Sequence, residues 1–227
     1  MTRGLVLETV CGGYGDTRVV HGMSGGVAPG EVLGVLGRNG AGKTTLARLA
    51  SGALPLQAGS VRLDGRDLGR DPAHVRRRAG LGHMPQTGFV FDSLSVGDNL
   101  AIATTRGAPD AVLDCFPVLR ERGAQPAGTL SGGERKLLGF ARTILEDTAV
   151  VVLDEPSEGV QPENIERMAA CLRARAAEGA AVLLLEQNVA FLHAVADRYL
   201  VVETGRVADE GAVADESLDS LRARVTL

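Results

Sequence analysis

Residues 37–44 read GRNGAGKT and lie between an apolar segment, Val32 to Leu36, and a segment of helical periodicity, Lys43 to Ala53. The apolar segment predicts a buried strand, and the apolar residues of the second segment recur at the spacing of one helix face. A loop of the pattern G-x-x-x-x-G-K-[ST] in this context predicts a cradle for phosphate groups, because its N–H groups and the helix N-terminus offer positive potential. A purely structural glycine turn would need neither the lysine nor the hydroxyl group.

Each residue of this phosphate loop has a predicted task. Lys43 is expected to neutralise the β- and γ-phosphates of a nucleotide, Thr44 to ligate Mg²⁺, and Thr45 to help hold the α- or β-phosphate. The other loop residues predicted to bind the nucleotide are Gly37, Arg38, Asn39, Gly40, Ala41 and Gly42.

Two acidic residues end a second apolar segment, AVVVLDEP at residues 149–156. In a parallel sheet the end of such a strand lies beside the phosphate loop. Asp154 is expected to contact Mg²⁺, and Glu155 to orient the attacking water or accept its proton. Two acids after a strand also occur in solvated turns, but the phosphate loop in the same chain favours the catalytic interpretation. The two motifs together indicate a P-loop NTPase, a class that includes motors, helicases, kinases and transporters.

The composition limits the possible functions. The chain has 227 residues, 44% hydrophobic and 23% charged, which is enough for one domain with a sizeable core. Its net charge of −4 offers no electrostatic surface for nucleic acid or anionic lipid. The longest apolar segments have the length of strands, and the first residues lack the features of a signal peptide, so we expect a cytosolic protein. Three widely spaced cysteines favour neither a disulfide framework nor a zinc site.

Strands alternate with helices along the chain, which predicts an α/β fold with a largely parallel sheet. Further strands are predicted at residues 61–63, 79–84, 149–153 and 181–185. A helix is predicted from Pro162 to about Glu178, and SVGD at residues 95–98 has the form of a capping box at the start of another. VVETGRVADEG, residues 201–211, predicts a hairpin that turns at Thr204 and Gly205.

The stretch LSGGE, Leu130 to Glu134, indicates the family within this class. A serine followed by two glycines is a weak signal by itself, but this one ends twenty residues before Asp154. Ser131 and Glu134 also form an S-x-x-E capping box, which predicts a helix N-terminus whose N–H groups attract an anion. With this signature the chain resembles the ATP-binding cassettes of ABC transporters over nearly its whole length.

The resemblance implies the fold and ligands of such cassettes. It implies a P-loop core with a mostly parallel sheet, an N-terminal antiparallel β subdomain and an α-helical subdomain at about residues 87–147, all within a single nucleotide-binding domain, residues 1–227. It also implies ATP and Mg²⁺ as ligands and a head-to-tail dimer, in which the signature of one cassette binds the γ-phosphate of ATP held by the other. The signature residues are Ser131, Gly132, Gly133 and Glu134.

The resemblance suggests roles for three further positions. Tyr14 matches the aromatic residue that stacks on adenine, although a lone tyrosine more often has a packing role. Gln86, which alone would carry no signal, resembles the glutamine that reaches Mg²⁺ or the attacking water and links the site to the membrane subunit. PSEGVQP, residues 156–162, lies where a loop crosses the dimer interface, and its sequence departs from the commoner SALD form.

Gln187, in LLLEQN, stands where most such cassettes have a histidine that contacts the γ-phosphate. Glutamine does not become a cation, so hydrolysis is expected to rest on Glu155, with Lys43 and Gln187 as the other catalytic residues. An ordinary position near a helix start is the alternative for Gln187. Glutamine here, together with YGDTRVVHG and PSEGVQP, is similar to the ATPases of branched-chain amino acid and urea or amide importers. Lys136, where glutamine is usual, is a second departure, expected to tune the interface.

The function that this resemblance implies is ATP hydrolysis that powers uptake of a small solute, with branched-chain amino acids as the first candidate cargo and urea or short amides as the second. The expected partners are integral membrane permease subunits, a second cassette that is identical or related, and, indirectly, an extracytoplasmic solute-binding protein. Nucleic acid is not an expected partner. The chain is thus expected at the cytoplasmic face of the cell membrane, attached through the permease.

Two other functions are compatible with parts of the sequence. A soluble ABC ATPase without a transporter usually carries two cassettes, a coiled-coil insert or basic surfaces, and this sequence has none of these. A non-hydrolysing nucleotide sensor would lack the catalytic acid, whereas Glu155 is present. Within the transporter interpretation, FVFDSLSVGDNL at residues 89–100 is expected to contact the membrane subunit through Phe89 and Phe91.

Overall fold

The computed structural model describes residues 4–87, 90–104 and 110–226, and these residues form ten strands and nine helices. The strands are β1 (Leu5–Tyr14), β2 (Thr17–Val27), β3 (Val32–Leu36), β4 (Ala58–Leu63), β5 (Arg66–Asp67), β6 (Leu81–Met84), β7 (Val150–Asp154), β8 (Ala181–Glu186), β9 (Arg198–Glu203) and β10 (Arg206–Ala212). The helices are α1 (Lys43–Ser51), α2 (Ala73–Arg78), α3 (Val96–Ala101), α4 (Asp110–Cys115), α5 (Pro117–Glu121), α6 (Gly132–Leu145), α7 (Pro162–Ala177), α8 (Val189–Val195) and α9 (Leu218–Thr226).

A mostly parallel sheet organises the described part of the chain. Its strands run in the order β10-β9-β3-β8-β7-β6, and neighbouring strands are parallel except in the β9–β10 hairpin at one edge. Every residue of β3 and β7 is buried, which explains why neither strand has a polar side chain except Asp154 at the end of β7. Leu36 pairs with Glu186, and Asp154 pairs with Leu185. The carboxyl ends of β3, β8 and β7 therefore lie at the same edge of the sheet.

A second, antiparallel sheet has the strand order β2-β1-β4-β5. Its apolar residues form one hydrophobic core with α1 and the parallel sheet, to which Val10 and Leu46 contribute. A separate core, which includes Phe140 and Leu172, joins the parallel sheet to α6 and α7. These sheets confirm the predicted α/β fold with a mostly parallel sheet and an N-terminal antiparallel sheet.

The described residues between β6 and β7 contain helices α3 to α6 and a 3-10 turn at Ala127–Thr129. The rings of Phe116 and Phe140 pack edge to face inside this segment, with centroids 6.0 Å apart. Ser95 caps α3, where its hydroxyl oxygen accepts a hydrogen bond from the Asp98 N–H at 3.0 Å. The limits of a helical subdomain at residues 87–147 stay a prediction. None of the helices within the described ranges is long and apolar enough to span a bilayer.

Three of the predicted element boundaries were wrong. The strand expected at residues 61–63 begins at Ala58. The helix expected to reach Ala53 ends at Ser51, because Gly52 adopts a left-handed conformation with φ of 76° and closes the helix. The strand expected at residues 79–84 begins at Leu81, because the chain before it ends a short helix, α2.

The hydrophobic periodicity of the sequence did not predict helix α2. Arg76 joins it to α1: this buried arginine donates from Nη1 to the carbonyl oxygens of Leu49 (3.0 Å) and Ala50 (2.8 Å) at the end of α1. Burial lowers the pKa of the Arg76 guanidinium, and Asp71 and Asp67 oppose this effect. The helix is therefore held by a tertiary contact that a local sequence pattern does not reveal.

The β9–β10 hairpin, which turns at Thr204 and Gly205 as predicted, supports the phosphate loop from one side. The Gly205 N–H donates to the Ala41 carbonyl oxygen at 2.9 Å, and the Gly205 carbonyl oxygen accepts from the His21 N–H at 2.8 Å. Gly205 has a φ of 75°, and a Cβ atom at this position would overlap the Val19 carbonyl oxygen. The turn therefore needs glycine both for its conformation and for the close approach of β2.

We expect Gly205→Ala to lower the free energy of unfolding by about 3 kcal/mol, because it adds a backbone clash to the strain of a positive φ. Gly65→Ala is the matched control, because Gly65 has a similar φ of 82° but open space around its Cβ position. Gly65→Ala should lower the free energy of unfolding by about 1 kcal/mol. Urea denaturation measures both values. Equal losses would show that the approach of Val19 does not constrain the hairpin.

Candidate active site

The phosphate loop follows β3 and ends in the first turn of α1. Gly40 and Gly42 adopt left-handed conformations, with φ of 80° and 106°, and Gly42 is the N-cap residue of α1. The loop thereby places its backbone at a helix N-terminus, where unpaired N–H groups offer positive potential. Lys43 is buried, and its Nζ donates to the carbonyl oxygens of Gly37 at 2.7 Å and Arg38 at 3.2 Å. The ammonium group therefore lies across the loop.

Asp154 and Glu155 lie at the end of β7, next to the phosphate loop. The Thr44 hydroxyl donates to Asp154 Oδ1 at 3.2 Å, and Glu155 Oε1 forms an ion pair with Lys43 Nζ at 3.1 Å. Both acids are buried, Asp154 with 1% of its surface exposed. The fold thus brings the lysine and hydroxyl group of the loop together with the two acids predicted to act with them.

Glu155 is held in place from several sides. Its backbone has a left-handed φ of 48°, and its N–H donates to the Leu185 carbonyl oxygen at 2.8 Å. Such a conformation costs a non-glycine residue about 1 kcal/mol and persists where the surroundings impose it. Gln86 Nε2 donates to Glu155 Oε2 at 2.9 Å and to Glu158 Oε2 at 3.2 Å. Each carboxylate oxygen of Glu155 therefore has its own partner, Lys43 or Gln86.

A cavity of about 370 Å³, called here the loop cavity, lies between the phosphate loop and the acidic residues Glu155 and Glu158. Predicted site residues that line it are Tyr14, Asn39, Gly40, Gly42, Lys43, Thr44, Thr45, Gln86 and Glu155. Val19 and Glu158 line it as well, although sequence reasoning assigned them no role. Gly37, Arg38 and Ala41 instead line a cavity of about 410 Å³ between the loop and the β9–β10 hairpin. Asn39 and Gly40 line both cavities, so the phosphate loop borders a cavity on each of two sides.

Tyr14, the last residue of β1, lies at the wall of the loop cavity with 45% of its surface exposed. Its hydroxyl oxygen accepts a hydrogen bond from Arg48 Nη1 at 3.1 Å, and the Arg48 guanidinium lies 5.9 Å from the ring centroid. Helix α1 thus orients a ring that stays accessible. Stacking of Tyr14 on adenine remains a prediction.

The signature residues surround the N-terminus of α6. Ser131 Oγ accepts from the Glu134 N–H at 3.3 Å, and Glu134 Oε2 accepts from the Ser131 N–H at 2.9 Å, which confirms the capping box. The second of these bonds lowers the pKa of Glu134. Ser131, Gly133 and Glu134 line a cavity of about 500 Å³ beside α7, called here the signature cavity, and Gly132 borders one of about 380 Å³ next to Gln86. The signature and the phosphate loop of this chain therefore face different cavities.

Gln187 is exposed and does not line the loop cavity; its N–H donates to Glu186 Oε2 at 2.9 Å. Glu186, which sequence reasoning missed, is buried and also accepts from the N–H groups of Ser157 at 2.9 Å and Asn188 at 3.0 Å. Burial raises the pKa of its carboxyl group, and these hydrogen bonds oppose the rise. One carboxylate thus joins the loop after β7 to the loop after β8. The sequence signal that could have identified Glu186 was its position as an acidic residue at the end of an otherwise apolar strand.

Donor atoms in the loop cavity and beside it, where Asp154 contacts Thr44, suit a nucleotide with a divalent cation. Asp154, Thr44 and Gln86 offer the oxygen atoms that Mg²⁺ prefers. Burial, and to a smaller extent the neighbouring carboxylate of Glu155, raise the pKa of Asp154 from 3.8 to about 6. A carboxylate whose charged form is disfavoured in this way gains from a nearby cation. Lys43, bound to carbonyl oxygens and Glu155, places a positive charge at the wall of this cavity.

The fold and this site define a P-loop nucleotide-binding domain. Residues 20–158 match the family model described as "ABC transporter". The chain therefore belongs to the ABC transporter family, and it is one of the ATP-binding cassettes that act as the ATPases of that family.

Three curated relatives illustrate the range of transporters that use such an ATPase. The high-affinity branched-chain amino acid transport ATP-binding protein BraG of Pseudomonas aeruginosa is 36% identical over 208 residues, 88% of this chain and 89% of BraG. The probable branched-chain amino acid transport ATP-binding protein LivF of Archaeoglobus fulgidus is 34% identical over 91% of each chain. The lipopolysaccharide export system ATP-binding protein LptB of Escherichia coli is 33% identical over 98% of this chain and 96% of LptB.

Solved structures of ATP-binding cassettes have the same fold. An ATP-binding subunit of an ABC transporter aligns with a TM-score of 0.86 and 24% identity, over 99% of this chain and 100% of that chain. A nucleotide-free ATP-binding cassette from an ABC transporter aligns with a TM-score of 0.85 and 22% identity, over 99% of this chain and 98% of that chain. The predicted cassette fold is therefore confirmed.

The raised pKa of Asp154 makes the stability of the ligand-free protein depend on pH. As the pH rises, the unfolded chain releases this proton near pH 3.8, whereas the folded chain keeps it until about pH 6. The folded state therefore loses stability between these two values, and the loss is complete above pH 6. An asparagine would accept the Thr44 hydrogen bond without carrying the charge.

We therefore expect Asp154→Asn to raise the free energy of unfolding by about 1 to 3 kcal/mol at pH 8, without nucleotide and with EDTA present. The difference should shrink as the pH falls through 6 and vanish below 3.8. Thermal unfolding across this pH range measures it. Asp16→Asn, in the exposed turn between β1 and β2, is a control expected to change stability by less than about 0.5 kcal/mol. A less stable Asp154→Asn at pH 8 would contradict the electrostatic account.

Proposed function

We propose that this ATPase binds Mg-ATP in the loop cavity and hydrolyses it with Glu155 as the general base. The observation that carries the proposal is the position of Glu155, whose carboxylate lies between Lys43 and Gln86 at the wall of that cavity. Thr44, Asp154 and Gln86 are the residues that would hold Mg²⁺. When bound, the cation neutralises charge on the phosphates.

The contacts of Lys43 suggest how binding prepares the site. Phosphate oxygens carry more negative charge than carbonyl oxygens, so Lys43 moves from Gly37, Arg38 and Glu155 to the β- and γ-phosphates. Glu155 Oε1 is then free to accept a proton from the attacking water. Gln86 keeps its hydrogen bond to Oε2 and so fixes the orientation of the carboxylate. Gln187 donates a hydrogen bond at most, since an amide does not take up a proton near neutral pH.

We further propose that two cassettes close head to tail, with the signature of one on the ATP of the other. The capped N-terminus of α6 offers backbone N–H groups and the positive end of a helix dipole, which suit a γ-phosphate. The signature cavity and the loop cavity have no common lining residue in this chain. A second cassette, identical or related, would therefore complete each site.

Branched-chain amino acids are the cargo we propose, delivered by a solute-binding protein to permease subunits that this ATPase drives from the cytoplasmic face of the membrane. The relatives BraG and LivF support this choice. The similar relative LptB supports a second candidate, lipopolysaccharide export. Urea or short amides remain the alternative cargo for an importer.

A contact with the membrane subunit is proposed for residues 90–100, where Phe91 is 53% exposed. The guanidinium of Arg142 lies 4.8 Å from the centroid of the Phe91 ring and fixes its position on the surface. An exposed, oriented aromatic ring is typical of an interface anchor. Phe89, the other residue expected to make this contact, lies outside the described residues.

Glu155→Gln should lower kcat for Mg-ATP hydrolysis at least about a hundredfold, because an amide does not accept the proton of the attacking water. ATP binding should persist, and an ATP-bound dimer should accumulate in size-exclusion chromatography. Glu178→Gln, an exposed acid outside the loop cavity, is the control and should behave like the native chain. Native hydrolysis by Glu155→Gln would show that another group is the base. Loss of hydrolysis without a dimer would indicate that a different cassette is the partner.

Cells that depend on this chain should take up labelled leucine, isoleucine and valine, and Lys43→Ala should abolish the uptake, because the cassette can no longer hold the phosphates. Labelled urea and acetamide test the alternative cargo in the same cells. Loss of lipopolysaccharide from the cell surface, with amino acid uptake unchanged, would favour the export function instead.

A further inference from the structure

Lys136, in the second turn of α6, reaches the residues that hold Glu155. Its Nζ donates to the Gln86 carbonyl oxygen at 2.7 Å and lies 3.7 Å from Glu158 Oε2. The Lys136 side chain is 12% exposed, whereas that of Glu158 is 60% exposed. The contact to the carbonyl group is the shorter of the two and is partly buried. A hydrogen bond from an ammonium group in such a place is stronger than one between neutral groups.

This lysine completes a continuous series of polar contacts. Lys43 binds Glu155 Oε1, Gln86 Nε2 binds Glu155 Oε2, and Lys136 binds the carbonyl group of Gln86. Glu158 adds a branch, because it accepts from Gln86 and pairs with Lys136. The sequence contains no lysine other than these two, and they stand at opposite ends of the series. Lys136 itself does not line the loop cavity.

We propose that Lys136 is a positioning residue for ATP hydrolysis, which anchors the backbone of Gln86 so that the Gln86 amide holds the Glu155 carboxylate. The inference rests on the proposed function, because it concerns the same reaction. Without the ammonium group, the Gln86 carbonyl loses its link to α6, and its side chain samples orientations that leave Glu155 Oε2 unbound. Catalytic groups act efficiently only when their orientation is fixed in advance.

Steady-state ATP hydrolysis by variants of Lys136 tests this role. Lys136→Met keeps the apolar stem but removes the cation, and we expect kcat to fall about tenfold while KM for ATP stays within about twofold. Lys136→Arg keeps a cation and should recover most of kcat. Arg135→Met is the matched control, because this neighbour on α6 pairs with Asp92 at 3.3 Å and donates to the Gly128 carbonyl oxygen at 3.0 Å rather than to Gln86. It should hydrolyse ATP at the native rate.

A double-mutant comparison separates positioning from a general loss of structure. If Lys136 acts through the amide of Gln86, then Lys136→Met should lower kcat by less than about twofold in a Gln86→Ala background. Losses that multiply, or a native kcat for Lys136→Met, would overturn the proposal.

Hydrogen exchange tests the anchor without relying on hydrolysis. In the nucleotide-free full chain, backbone amides of the peptide that contains Gln86 should exchange about tenfold faster in Lys136→Met and at the native rate in Arg135→Met. Unchanged exchange in Lys136→Met would show that the contact holds nothing in place and would overturn the proposal. Glu155→Gln distinguishes the two ideas: if it abolishes hydrolysis while Lys136→Met stays native, only the role of Lys136 is wrong. If Glu155→Gln hydrolyses ATP normally, the proposed function itself is wrong.

Discussion

The ion pair between Lys43 and Glu155 joins the two halves of the site, and it exists because β3, β8 and β7 are parallel neighbours. The loop after β3 and the acids at the end of β7 must then emerge at one edge of the sheet. Backbone hydrogen bonds hold the phosphate loop and the end of β7 in the positions that bring Lys43 and Glu155 together. The β9–β10 hairpin holds Ala41 through Gly205, and the Leu185 carbonyl oxygen fixes the backbone of Glu155.

Carboxyl groups of the site are buried, and burial disfavours their charged forms. Burial raises the pKa of both Asp154 and Glu186, yet the fold treats the two carboxyl groups differently. Glu186 has backbone N–H donors for both of its oxygens and serves to join two loops. Asp154 accepts a hydrogen bond from the Thr44 hydroxyl, and a nearby cation would stabilise its charged form further. The stability lost at Asp154 is typical of a residue kept for ligand binding rather than for folding.

Glu155 is the point at which distant elements meet. Lys43 reaches it from α1 and Gln86 from the segment after β6, and Lys136 extends the network to α6. Because α6 begins at the signature, the helix proposed to meet the partner's nucleotide also contacts Gln86, which binds the Glu155 carboxylate of the same chain. A movement of α6 relative to the parallel sheet would therefore shift Gln86 and, through it, change the orientation of the Glu155 carboxylate.

The sequence by itself determined the phosphate loop, the acid pair at 154–155, the capping box at 131–134 and the hairpin at Gly205. Each of these depends on residues close together in the chain, whose conformational preferences and chemistry act locally. Only the tertiary structure decided that the phosphate loop borders two cavities, that Arg76 joins α2 to the end of α1, and that Lys136 contacts Gln86. These contacts join residues far apart in the chain, and no local preference encodes them, because they arise from the way helices and strands pack.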